Sequence, residues 1–122
     1  MNSGVLHTMQ ALASSLPIRV LVPQQVLFEA GERGDTIFCV LSGEMELRWG
    51  EGTGEVFAAG EVFGVGALVD ANHRRHGTAS ARSDVQLIEM NREHFLFAVQ
   101  EMPMFAIELM ASLERRLRQL EP

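Results

Sequence analysis

"FEAGERGDTIFCVLSGEMEL" (residues 28–47) is a series of short strand-like segments separated by glycines. "TIFCVLS" is almost entirely apolar, and "EMEL" alternates polar and apolar residues. Between them "SGE" is a turn signal. Short apolar or alternating segments bounded by glycine are typical of β-strands, so this stretch predicts strands joined by tight turns.

The same pattern extends in both directions along the chain. "IRVLVP" precedes the stretch, and "EVFAAGEVFG", "TASAR" and "VQLIEMN" follow it. Many short strands at regular spacing, separated by glycine, favour a small barrel or jelly roll. The sequence therefore predicts a mainly β fold, with a β-roll over residues 18–90.

Helical patterns flank the predicted roll. An N-terminal helix is expected over residues 4–15, with apolar residues at helical spacing and Pro17 as its stop; these are Val5, Met9, Leu12 and Leu16. After the roll, a helix over 91–101 has Asn91 as its N-cap. A second helix over 103–120 has Pro103 in its first turn, where the missing N–H has no cost.

The last helix has apolar residues four and three positions apart. This heptad seam consists of Ala106, Met110, Leu113, Leu117 and Leu120. Such a stripe suits two arrangements equally, a helix packed on its own roll and a helix that pairs with a second copy or a partner protein.

Length and composition limit the classes of function. The 122 residues predict a single domain over 1–122, with a formal net charge of −6. Acidic balance disfavours direct nucleic-acid binding, because phosphate contacts need clustered basic side chains. We find no basic signal-peptide region and no apolar run of transmembrane length, so no membrane contact and a cytoplasmic location are expected.

The sequence contains no recognisable catalytic set. It has no nucleophile elbow, no Walker loop and no carboxylate pair in a known setting, so an enzyme is not expected and no cofactor is required. His73 and His76 are three residues apart, but a metal site would need a third ligand from elsewhere, and none is expected. Cys39 is expected to pack as a small apolar group.

A basic cluster lies in the middle of this acidic chain. In "GEVFGVGALVDANHRRHGTASA" (residues 60–81), Arg74 and Arg75 lie between two histidines and follow a turn at Gly64–Val65–Gly66. The turn is expected to open a short helix containing Ala67 and Leu68. Helix N-termini and arginine forks both bind phosphate groups. The cluster is either a solvated loop or a cradle for an anion.

Residues 5–120 resemble a cyclic-nucleotide-binding domain of the catabolite-activator and kinase-regulatory-subunit type. Glycines at 31, 34 and 43, together with Asp35, fall at the turns of that family's β-roll. "GEVFGVGAL" resembles the start of its phosphate-binding cassette, and "RHGTASARSDVQLIEMNREHF" resembles the cassette's end and the following strand and helix. The resemblance implies a double-stranded β-helix and a non-enzymatic regulatory domain that signals through its C-terminal helix.

The resemblance also implies a ligand site. Its residues are Gly64, Val65, Gly66, Ala67, Leu68, Arg74, Arg75, His76, Gly77 and Thr78. Counting back from "SDVQL" places Arg75 at the phosphate position and Thr78 near the base. Counting forward from "FGVGAL" gives one extra residue and makes Arg74 a competing candidate. We favour Arg75, because the strand after the cassette fixes the register more firmly.

One departure from the family affects the ligand. Ligand-binding members have a glutamate directly after "FG", which accepts the ribose 2′-hydroxyl, and this chain has Val65. Loss of one charged acceptor is expected to cost about 1.5–3 kcal/mol. Two hypotheses stay open: a module that senses a cyclic nucleotide or another small anion, and a degenerate roll that dimerises or contacts a partner. The chain ends where transcription factors of the family add a helix-turn-helix, which again disfavours DNA binding.

Overall fold

The computed structural model describes residues 7, 8, 10, 11, 16–52 and 54–119, except for the Ala67 side chain. His7, Thr8, Gln10 and Ala11 are helical. The rest of the N-terminal helix predicted over 4–15, including Val5, Met9 and Leu12, lies outside the described residues, as does Leu120.

The described part of the chain contains eight strands and three further helices. The strands are β1 (Ile18–Leu21), β2 (Val26–Phe28), β3 (Ile37–Ser42), β4 (Met45–Arg48), β5 (Gly54–Phe57), β6 (Val62–Phe63), β7 (Thr78–Ala81) and β8 (Val85–Met90). The helices are α1 (Val65–Val69), α2 (Arg92–Glu101) and α3 (Met104–Gln119).

The strands form two four-stranded antiparallel sheets, in the orders β1-β8-β3-β6 and β2-β7-β4-β5. Neighbours in a sheet are often far apart in the sequence: β3 pairs with β8, and β4 pairs with β7. This is the predicted mainly β fold, a β-roll with helices at its ends, and the prediction is confirmed.

Two apolar cores lie on either side of the sheet that contains β3. The inner core, between the sheets, includes Phe28, Phe38, Phe57 and Phe63. The helix-side core packs Ile37 and Cys39 of β3 against Phe105 and Leu109 of α3. Because consecutive residues of a strand point to opposite faces, a strand between two cores is apolar throughout, which explains "TIFCVLS".

The C-terminal helices close the helix-side core. Asn91 caps α2, since its side chain accepts a hydrogen bond of 2.8 Å from the His94 N–H. The N-terminal segment reaches α3 through a 2.7 Å hydrogen bond from Thr8 Oγ1 to Glu108 Oε1.

Among the described residues, no single helix is long and apolar enough to cross a membrane. Only α2 and α3 taken together, with a bend of 115° between them, reach that length and composition.

Candidate functional site

The turn between β6 and α1 requires glycine at position 64. Gly64 has a φ of +87°, a left-handed conformation that residues with a Cβ rarely adopt. A Cβ there would lie 2.9 Å from Arg75 Nη1 and 3.2 Å from the Thr36 carbonyl oxygen. The turn predicted at Gly64–Val65–Gly66 is therefore built around the Arg75 guanidinium.

Arg75 is the most buried charged residue of the basic cluster, with 6% of its surface exposed. Its Nη1 donates to the Gly64 carbonyl at 3.1 Å, and its Nη2 donates to the Thr36 carbonyl at 2.8 Å. The guanidinium carbon lies 4.3 Å from the centre of the Phe28 ring. Arginine stacks on aromatic faces in this way when it is desolvated.

The "GERGD" loop forms the wall behind this guanidinium. The Arg75 N–H donates to the Glu32 carbonyl at 2.8 Å, and the Gly31 N–H donates to the Arg75 carbonyl at 2.7 Å. A Cβ on Gly34 would come within 2.8 Å of Arg75 Nη2. The loop before β3 and the basic cluster before β7 are thus parts of one pocket.

The charge of Arg75 has no close carboxylate partner. Among the described residues no acidic side chain lies within 4 Å of its guanidinium. Burial lowers the pKa of Arg75, while the more distant charges of Asp35 and Glu32 act to raise it. Buried charges are normally paired, so a buried cation compensated only by carbonyl dipoles and aromatic rings can accept an anion.

Arg74 lies on the opposite side of the chain from Arg75. It is exposed, and its Nη1 donates to the Gly31 carbonyl at 3.0 Å. Burial alternates along this stretch, so that Arg75, Gly77 and Ala79 are buried while their neighbours are not. Counting back by twos from the inward residues of β7 would have identified Arg75 as the inward arginine.

Only some of the other predicted site residues lie at this pocket. His76 is exposed, and Gly77 packs so closely on Leu47 that a Cβ would lie 2.9 Å from it. Thr78 Oγ1 accepts a hydrogen bond of 3.1 Å from the Ala30 N–H. Leu68 is buried in the helix-side core, whereas the Ala67 side chain lies outside the described residues.

Two adjoining cavities open at this pocket. The smaller has a volume of about 50 Å³ and is lined by Phe28, Leu47, Gly64, Gly66, Arg75, His76 and Gly77. The larger has a volume of about 360 Å³, shares four of these residues and extends to α3. Its further lining residues are Glu55, Phe57, Val62, Phe63, Val65, Leu113, Arg116 and Leu117.

Val65 takes part in apolar packing. It is half-buried, packs against the helix-side core and lines the larger cavity. Glu61 does not take over a ligand-facing carboxylate role, because its oxygens accept hydrogen bonds from Arg116 Nη1 at 2.7 Å and from the Ala58 N–H at 2.8 Å.

The charged cluster at the α3 end of the larger cavity was not predicted from the sequence. Arg116 contacts Glu61 at 2.7 Å and Glu55 at 3.4 Å, and its guanidinium lies 3.8 Å from the centre of the Phe57 ring. Arg116 Nε is buried without a hydrogen-bond partner among the described residues. In the sequence Arg116 is simply a charged residue beside Leu117 of the heptad seam. The residues that it contacts lie 55 or more positions away, so no local pattern points to them.

Two other groups contribute no recognisable chemistry to the site. Within the described residues no three His, Cys, Asp or Glu side chains are grouped so that they could hold a metal ion. Burial raises the pKa of the Cys39 thiol to about 12, so this thiol is neutral at physiological pH.

The fold and the pocket define a β-roll domain with a buried cation beneath a cavity that reaches its C-terminal helix. The model of the cyclic nucleotide-binding domain family matches residues 18–102. The chain belongs to this family, as its resemblance predicted.

Similar proteins include regulators that are named for cyclic nucleotides. The cyclic AMP receptor protein of Thermus thermophilus is 34% identical in an alignment of 116 residues that covers 90% of this chain. The chain spans about half the length of that relative, 53%.

Two solved structures show the same fold. One, from a study of a cyclic-GMP-dependent signalling pathway in bacterial phytopathogenesis, is 28% identical with a TM-score of 0.82, and the match covers 100% of this chain and 98% of the other. The Thermus thermophilus catabolite activator protein is 28% identical with a TM-score of 0.76, over 93% of this chain and 55% of the other.

Proposed function

We propose that this domain senses a cyclic nucleotide or a closely related anion, and that Arg75 binds its phosphate group. The observation that carries the proposal is the buried Arg75 guanidinium, which has no carboxylate within 4 Å among the described residues. It faces the smaller cavity, next to the Gly64 turn. A phosphate there would accept charge-assisted hydrogen bonds from the guanidinium, which are roughly twice as strong as hydrogen bonds between neutral groups.

The two cavities fit a ligand with an anionic end and a ring. Arg75 lies at one end, and Phe57 with Arg116 lies at the other. A volume of about 360 Å³ falls within the range of ordinary small-molecule sites. An aromatic ring and a guanidinium form a surface against which a planar base can stack.

The signal is proposed to pass through α3. Leu113, Arg116 and Leu117 line the larger cavity, so a bound ring would touch this helix directly. The helix also has an exposed apolar stripe, formed by Met104, Ile107, Met110 and Leu117, which we propose as the contact with a second copy or a partner protein. In this proposal the domain is a non-enzymatic, cytoplasmic regulatory module with no nucleic-acid contact of its own.

The relatives support this assignment by their names. One is a cyclic AMP receptor protein, and one comes from a study of a cyclic-GMP-dependent signalling pathway. This chain spans only about half of the receptor protein, 53%, so the support concerns the domain that the two proteins share.

Val65 favours a second candidate function. A valine at the family's ribose position cannot accept a hydrogen bond, and the Arg75 guanidinium already donates to two carbonyls. With these features the roll would act without a ligand, as a dimerisation or protein-interaction module built on the exposed stripe of α3.

Adjacent arginines provide a matched test of the first function. Calorimetric titration would compare cyclic AMP, cyclic GMP and cyclic dinucleotides on the wild type, Arg75→Lys and Arg74→Lys. Lysine keeps the positive charge but cannot donate the two parallel hydrogen bonds of the planar guanidinium. We expect Arg75→Lys to weaken binding about 10- to 150-fold, the equivalent of about 1.5–3 kcal/mol, and Arg74→Lys to change it less than about twofold.

Two results would contradict the assignment. If the wild type binds no cyclic nucleotide, the interaction module is the better function. If Arg74→Lys costs as much affinity as Arg75→Lys, the anion lies outside the buried pocket.

A further inference from the structure

The α3 end of the larger cavity contains a carboxylate that points inward. Burial alternates along β5: Glu55 is half-buried, Val56 is exposed and Phe57 is buried. Glu55 and Phe57 therefore lie on the inner face of this strand, and both line the cavity.

The charges at this end do not balance. Among the ion pairs of the described residues, two carboxylates, Glu55 and Glu61, contact one guanidinium, Arg116, so this three-residue cluster carries one net negative charge. Glu61 is the closer partner of Arg116, at 2.7 Å against 3.4 Å for Glu55. A carboxylate has about four acceptor positions, so Glu55 keeps the capacity to accept hydrogen bonds from a ligand.

The position of Arg75 sets the direction of the ligand. A phosphate held by Arg75 lies at the smaller cavity, and the attached ring must extend along the larger one toward Glu55. The cavity is thus positive at the phosphate end and negative at the ring end. Its ring end suits a base that offers hydrogen-bond donors.

The two purine bases differ in this respect. Guanine presents two adjacent donors, N1–H and N2–H₂, which match the two oxygens of a carboxylate. Adenine presents one donor beside the N1 lone pair, which would face a carboxylate oxygen. A bidentate contact to the right base is worth about tenfold or more in discrimination.

We infer, on the basis of the proposed cyclic-nucleotide function, that Glu55 selects guanine and that this domain prefers cyclic GMP to cyclic AMP. Glu55 is a specificity-determining residue at the ring end, and Arg75 supplies affinity that is common to both nucleotides. Glu55 keeps its carboxylate in place through Arg116, because the guanidinium lies between Glu55 and Glu61.

Calorimetric titration of the full chain tests this selection. The proteins are the wild type, Glu55→Gln and the control Glu44→Gln, which changes an exposed glutamate in the turn between β3 and β4. We expect the wild type to bind cyclic GMP at least about tenfold tighter than cyclic AMP. Glu55→Gln should weaken cyclic GMP alone and bring the ratio close to one, whereas Glu44→Gln should keep the ratio of the wild type.

The outcomes separate this inference from the function on which it rests. Equal affinity for the two nucleotides, a preference for cyclic AMP, or an equal loss of both in Glu55→Gln would overturn the guanine selection and leave the sensing function intact. Absence of binding by either nucleotide would overturn both. A melting temperature of Glu55→Gln within a few degrees of the wild type shows that the change in ratio does not come from unfolding.

Discussion

Val65 separates two halves of the proposed ligand site. On one side the Arg75 guanidinium is held by the Gly64 and Thr36 carbonyls, ready for an anion. On the other side the valine packs against the helix-side core and offers no acceptor to a ribose hydroxyl. In this proposal the phosphate-binding half of the site is in place, and the ribose-binding half lacks its hydrogen-bond acceptor.

We predict that Val65→Glu tightens the binding of cyclic AMP and cyclic GMP alike. A carboxylate that reaches the ribose 2′-hydroxyl should contribute about 1.5–3 kcal/mol. The change acts on the ribose, which both nucleotides share, and leaves their ratio unaffected. Calorimetric dissociation constants for the two nucleotides, before and after the substitution, measure the gain.

Arg75→Ala in the Val65→Glu background is the control for this gain. It should remove most of the added affinity, because the anion loses its bidentate partner. If the glutamate is buried without a partner, the protein loses stability and gains no affinity. That outcome would show that the ribose position is closed.

Arg75 and Arg116 show what could be predicted from single residues. The inward position of Arg75 was predictable, because the inward and outward alternation of β7 continues back to it. The contacts of Arg116 were not predictable, because its partners Glu55 and Glu61 are brought to it only when α3 folds over the roll. Local patterns fix which face a side chain occupies, but contacts between distant elements depend on how those elements pack.

Helix α3 presents two different stripes. The buried stripe contains Phe105, Leu109 and Ser112 and faces the roll. Of the predicted heptad seam, Met110 and Leu117 are 56% and 61% exposed, while Leu113 packs against the helix-side core. Both arrangements that the sequence left open are therefore seen in part: Leu113 of the heptad seam packs internally and Ala106 is half-buried, whereas Met110 and Leu117 face outward.

We predict that the exposed stripe forms a homodimer. Burial of a leucine side chain contributes about 1.5–3 kcal/mol, and in a symmetric pair each residue is buried twice. Sedimentation at tens of micromolar should show a dimer for the wild type and monomers for Leu117→Asp and Met110→Asp. Met110 does not line either ligand cavity, so its variant separates dimerisation from ligand binding.

Leu96→Asp is the matched control for the dimer. Leu96 is an exposed leucine on α2, 52% exposed, outside the heptad seam. Its variant should sediment like the wild type. A wild type that is already monomeric at tens of micromolar, and that is unchanged by Leu117→Asp, would show that the stripe is not a dimer contact.

The cavity as a whole is assembled from distant parts of the chain. Its walls come from β2, β4, β5, β6, the turn at the start of α1, the segment before β7 and the last turns of α3. The roll was predictable because short apolar or alternating segments and glycine turns are local signals, and they run through residues 18–90. The ring end of the site could not be predicted from the sequence, because it is formed only where α3 packs against the roll.

A ligand that spans this cavity should join the roll to α3 and stabilise the whole chain. At a ligand concentration of 100 times Kd, binding to the native state alone contributes about 2.7 kcal/mol. For a domain of this length that corresponds to a rise in Tm of roughly 10 °C. We expect this rise with cyclic GMP, a smaller one with cyclic AMP at the same concentration, and little with inorganic phosphate, which can occupy only the Arg75 end. If no cyclic nucleotide raises the Tm of the wild type, and Val65→Glu lowers the Tm without any rise on addition of ligand, the sensing function is wrong and the protein acts through the exposed face of α3.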